Sequence, residues 1–173
     1  MGIGGEIGGG MRTEKDKPMN ILGIDPGTKC GWAIRSAAGT YYSGTWDLAA
    51  KRHEGGGMRF VRLRRYFIEA LAAFEKGETI VAYEEVRRHL GADAAHIYGG
   101  IVGVITEVCE SLGIPYQGVP VGTVKKHATG KGNSGKDLMI LAAKSKWPGE
   151  TFADDNEVDA RWIAETFAHE NSM

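Results

Sequence analysis

The chain has 173 residues, a formal net charge of -1 and an ordinary globular composition, 42% hydrophobic and 25% charged. That length holds one domain with a real core and not two, and the charge excludes binding of nucleic acid through overall basicity. The charge is nevertheless segregated. Lys125, Lys126, Lys131, Lys136, Lys144 and Lys146 stand against Asp137 alone, whereas the stretch from Glu150 to Glu170 sets seven acids against Arg161. Such a sequence suits a protein that holds a polyanion beside a cation site, although charge alone favours the simpler reading of two solvated surfaces of opposite sign.

Residues 1–18 read as a flexible tail, Gly-rich and then charged, and 19–173 as one domain. The start has no basic region followed by an apolar one, so no signal peptide is expected. The longest apolar stretch, Ile97 to Ile105, is too short for a bilayer and is soon followed by Glu107. Cys30 and Cys109 have no metal-ligand spacing and are expected to be reduced, in a cytoplasmic setting.

In chain order, Asn20–Asp25, Gly31–Arg35 and Thr40–Trp46 predict three strands joined by short turns, an antiparallel meander. An apolar stripe from Met58 to Phe74 predicts a helix. Thr79–Val86 predicts a fourth strand, Ala94–Leu112 a helix ended by Gly113, and Ile114–Val119 a fifth strand. Asp137–Lys146 and Asp155–His169 predict the last two helices. The order implies an α/β fold on a mixed sheet, three antiparallel strands and then two parallel ones, flanked by helices.

Acids sit at informative places in that order. Asp25 closes the apolar run Ile21 to Ile24 and emerges from the sheet, although Asp25-Pro26-Gly27 is also a type II turn. Glu84 lies near the end of the fourth strand, on the face of Ile80 and Ala82; a strand reaching solvent would look the same. Asp154 and Glu157 open the last helix with capping-box spacing. Asp159 has no such explanation. It lies one turn beyond Asp155 on the same face, where like charges repel, and a divalent cation between that face and Asp25 would turn repulsion into attraction. Asn156 also lies near that face as a neutral oxygen donor.

With these residues assembled, the chain resembles the RuvC family of Holliday junction resolvases, within the RNase H-like (retroviral integrase) superfamily. The resemblance rests on Ile21-Leu22-Gly23-Ile24-Asp25-Pro26-Gly27-Thr28, on Ala82-Tyr83-Glu84-Glu85-Val86 and on Ala92-Asp93-Ala94-Ala95 with Gly99 and Gly103. It continues through Lys125, Thr129-Gly130-Lys131-Gly132 and Lys136 to Asp159-Ala160, in order from about residue 20 to 168. It implies a metal-dependent endonuclease that nicks four-way DNA junctions symmetrically as a homodimer. Asp25, Glu84, Asp155 and Asp159 would be its catalytic and metal-binding residues, for two Mg²⁺ ions with Mn²⁺ as a substitute. Lys125, Lys126, Lys131 and Lys136 would contact DNA from a loop that closes over the backbone.

Two departures stand out. The family's Asp three residues before the last acid is Asn156 here, which leaves the fourth ligand to Asp155 or to Asn156. The aromatic three residues after the Glu is Arg87, so strand separation falls to Arg87, Arg88, His89 or another aromatic. Short divergent members are common in phages, so a phage origin and a bacterial cytoplasmic setting are expected. Outside this class stand a nuclease acting on RNA or on flaps, a non-catalytic nucleic-acid-binding relative, and an actin-like ATPase phosphate loop. The chain lacks the second Asp-x-Gly loop that the ATPase would need.

Overall fold

The computed structural model describes residues 19–75, 77–87 and 91–173. The expected tail, Arg88 and His89 lie outside the described residues. Five strands form one sheet in the order β3-β2-β1-β4-β5. They are β1 (Asn20–Asp25), β2 (Lys29–Arg35), β3 (Tyr41–Asp47), β4 (Thr79–Glu85) and β5 (Tyr116–Pro120). β1 pairs antiparallel with β2 and β2 with β3, while β1–β4 and β4–β5 are parallel. The mixed sheet expected from the order of elements is the one observed.

Helices cover both faces, which is why the central strand β1 reads as a continuous apolar run. Ile21 of β1 and Ala82 of β4 pack with Val158, Ile163 and Phe167 of α5 (Asp155–Glu170), together with α3 (Val121–Thr129) and α4 (Lys136–Lys146). The alternate residues Leu22, Ile24 and Val81 pack with Leu63 and Phe67 of α1 (Met58–Leu71) and with Ile101 and Ile105 of α2 (Ala92–Leu112). Residues of opposite parity on β1 therefore belong to opposite layers, and Asp25 has the parity of Ile21.

Several boundaries differ from the sequence reading. α1 ends at Leu71 and not near Phe74. β5 begins at Tyr116 because Ile114 closes α2, its N–H donating to Cys109 O at 2.9 Å after Gly113 enters the left-handed region at φ 65°. The larger correction is α3, which occupies a stretch expected to be a loop. Pro120 precedes it and Gly130, at φ 80°, ends it. No helix among the described residues is long and apolar enough to cross a membrane.

Candidate active site

The register of β1 on β4 pairs Gly23 with Ala82 and Ile24 with Tyr83. One step further sets Asp25 beside Glu84, on neighbouring parallel strands and on the α5 side of the sheet. The end of β4 is pinned by Tyr98 of α2, whose hydroxyl donates to Glu84 O at 2.9 Å and accepts from Val86 N at 3.0 Å.

α5 brings the third acid over this pair. It lies very close to the sheet because two strand residues there are glycines. A Cβ on Gly23 would stand 2.5 Å from Ala160 O, and one on Gly31 only 1.9 Å from Asn156 O. The position of α5 is fixed again from the β3 edge. Alternate residues Tyr41, Ser43 and Thr45 present hydroxyls to Glu165, Glu157 and Asp154, the last two at 2.6 Å. Asp154 also caps the helix, accepting from Glu157 N at 3.0 Å. Glu157 reaches back to Ala153 N at 2.6 Å, one residue before the box position the spacing implies. Arg161, buried among the rings of Tyr41, Trp147 and Phe152, donates to Ser43 Oγ at 2.7 Å and pairs with Glu150. Asp159 then projects toward the strand ends.

The electrostatics follow from this arrangement. Asp25 is held well above the usual carboxylate range, first by burial, then by Glu84, Asp159 and Asp155, with Lys136 opposing. Burial and Asp159 push Glu84 up to about 7, against Lys125. Burial and Asp155 push Asp159 up to about 6, against Lys136 and Lys125. The sequence-predicted acids are thus brought together, and Lys125 and Lys136 face them.

Lys136 forms an ion pair with Asp155. Lys125 is on α3, a helix, and not on a mobile loop as expected. Lys126 projects from another flank of α3 into a cleft with His127 and His169. Lys131 is exposed in the α3–α4 connection, which is tied by the Thr129 and Ser134 hydroxyls 2.6 Å apart and by Ser134 Oγ donating to Lys131 O at 3.0 Å. Arg87 stands just beyond β4 and reaches Glu85 at 3.4 Å. Asp155 acts on both Asp25 and Asp159, which favours it over Asn156 as the fourth partner. Most of the arginines of α1 are engaged internally: Arg62 with Glu54, Arg64 with Glu107, and Arg59 with Gly56 O at 3.1 Å.

The donor set is all carboxylate oxygen, which suits a hard divalent cation and not zinc. A buried acid such as Asp25, crowded by other acids, either keeps its proton or takes up a positive charge. In this respect the residues fit a metal. They are not drawn into a closed shell: among the described residues no three His, Cys, Asp or Glu side chains stand in ligating arrangement. Mutual repulsion and the pull of Lys136 on Asp155 give a physical reason for that spacing.

No protein-family model and no curated protein matches the chain. Solved structures do match. A T. thermophilus RuvC in complex with a Holliday junction substrate superposes with a TM-score of 0.73 at 23% identity, over 89% of this chain and 96% of that one. A Thermus thermophilus RuvC structure gives 0.67 at 23% identity, over 89% and 97%. The chain therefore has a RuvC-like fold, the RNase H-like architecture expected from its motifs.

Proposed function

We propose that the protein is a divalent-cation-dependent endonuclease that resolves four-way DNA junctions by paired nicks, acting as a homodimer. The observation that carries this reading is the convergence of Asp25, Glu84 and Asp159, each raised by burial and by a neighbouring acid, at the strand ends of a RuvC-like sheet. Crowded acids on a fold shared with a junction-bound RuvC are difficult to explain as structural elements alone.

Asp25, Glu84, Asp159 and Asp155 would hold two ions, Mg²⁺ or Mn²⁺. The chemistry such ions supply is activation of water for in-line attack and stabilisation of the departing 3′ oxygen. The rest is the work of the chain. Asp25 is held on a rigid strand, Glu84 by the Tyr98 anchor, and Asp159 by the seat of α5, so the donors arrive with little freedom to lose. Lys136 and Lys125 border the acids and offer ammonium groups to the scissile phosphate and its neighbour. Lys131 extends the contact along the backbone, and Arg87 meets the strand beside Glu85. Lys126, facing away from the acids, is left as an outlying phosphate contact.

The test is cleavage with Mg²⁺ of a labelled four-way junction, a linear duplex and an RNA–DNA hybrid, by wild type and by Asp25→Asn. Symmetric junction nicks that the variant loses are expected. Equal activity in both proteins refutes the proposal, and a preference for the hybrid moves the reading to an RNA-cleaving nuclease.

A further inference from the structure

On the opposite face of the sheet, at the β3 edge, aromatic side chains form a ladder. The Trp32 and Trp46 rings are stacked with centroids 5.7 Å apart and planes 16° apart. Trp46 meets Tyr66 of α1 at 6.0 Å and 32°. The Arg65 guanidinium lies 4.9 Å from the Tyr66 ring centroid. All three rings are half-buried and not sealed in the core.

Two adjoining clefts share Tyr66. One, of about 200 Å³, is floored by Trp32, Trp46 and Ile34, with Glu69 on its rim. The other, of about 560 Å³, contains Lys51, Arg62 and Arg65. Its acids are neutralised, Asp47 by Lys29 at 2.6 Å and Glu54 by Arg62. Lys51 has no ion pair among the described residues, and Arg65 reaches only Glu69, at 3.9 Å. The basic cleft includes Asp47 and Ala49. Between them Leu48 donates its N–H to Thr28 O at 2.9 Å, in the turn that follows Asp25. The cleft therefore opens near the end of the sheet that carries the acids.

A cationic groove leading to flat π faces is what binds a nucleic-acid strand without sequence preference. Bases inside a duplex are stacked on each other and cannot reach such faces. We propose that this face binds an unpaired nucleic-acid strand, its phosphates held by Lys51 and Arg65 and a base stacked on the Trp32–Trp46–Tyr66 ladder. The site is separate from the acids and does not depend on cleavage.

Of the chain's four tryptophans, Trp147 and Trp162 are buried in the other layer, so surface quenching of indole fluorescence reports Trp32 and Trp46. The experiment titrates the full chain with oligo(dT) in chelator and follows fluorescence and the anisotropy of the labelled oligomer. Saturable quenching is expected. Arg65→Glu and Trp46→Leu should each weaken binding about tenfold, and Trp46→Phe, which keeps a ring, should stay within a few-fold, with circular dichroism confirming the fold of each. Absence of saturable quenching, unchanged affinity in both weakening variants, or equal quenching by blunt duplex would overturn the proposal. Arg65→Glu should still cut a fully paired junction at the wild-type rate, which separates failure of this face from failure of the nuclease reading.

Discussion

Glu84 ionises at about 7 in the folded chain against an ordinary 4.5, and Asp159 at about 6 against 3.8. A carboxyl with a raised folded value keeps its proton longer in the native state than in the unfolded one. Its contribution to stability is therefore fullest below about pH 4, declines as pH rises through about 6 to 7, and stays lost above. In chelator, Glu84→Gln should melt at nearly the wild-type temperature at pH 4 and progressively above it toward pH 8. Millimolar Mg²⁺ should raise wild type more than the variant at the upper end. A melting difference that is flat with pH would show that neither burial nor Asp159 raises Glu84. These acids were legible in the sequence because each ends or interrupts an apolar element. Tyr98 was not: on α2 it reads as a packing residue, and its bond to the end of β4 depends on how the two elements meet.

Among the elements, α5 matters most, because it carries Asp155 and Asp159 and must lie almost on the strand backbones. Gly31→Ala should place a methyl where Asn156 O now stands, 1.9 Å from the built Cβ. A helix backbone cannot yield there without lifting the first turn of α5. We expect a loss of about 1–3 kcal/mol in urea unfolding and a larger proportional loss of cleavage; an unchanged midpoint would mean that α5 sits further from the sheet. Nothing local to Gly31 signals this role, since its partner is more than a hundred residues away. The hydroxyls at Tyr41, Ser43 and Thr45 have the strand period, yet their acidic partners on α5 become visible only once the helix is docked. α3 does carry signals in the sequence: Pro120 before it, Gly130 after it, and Lys126 with His127 in its last turn. Gly122 inside it weakens that pattern and gives the lysine stretch the look of a loop.

For the whole molecule, the sheet was legible because apolar runs and turn residues fix strand order, and because close strands must be antiparallel while distant ones need crossovers. Quaternary structure is not written so plainly. On α2, Ile101 is fully buried within the chain and Tyr98 is tied to β4, which leaves the small residues Ala94 and Gly99 exposed on that helix. The described residues of one chain carry one such acid cluster, so symmetric nicking of two strands calls for two copies. Sedimentation equilibrium should therefore give about twice 18.7 kDa at working concentration, whereas a monomer that nicks both strands in one encounter would contradict the paired-site account. At every scale the proposed chemistry depends on the acids gathering a cation. The most direct measurement is Mn²⁺ binding by electron paramagnetic resonance in the absence of DNA. Wild type should bind Mn²⁺, and Asp25→Asn, Glu84→Gln and Asp159→Asn should each lose most of that binding while remaining folded; wild-type binding in all three variants would contradict it.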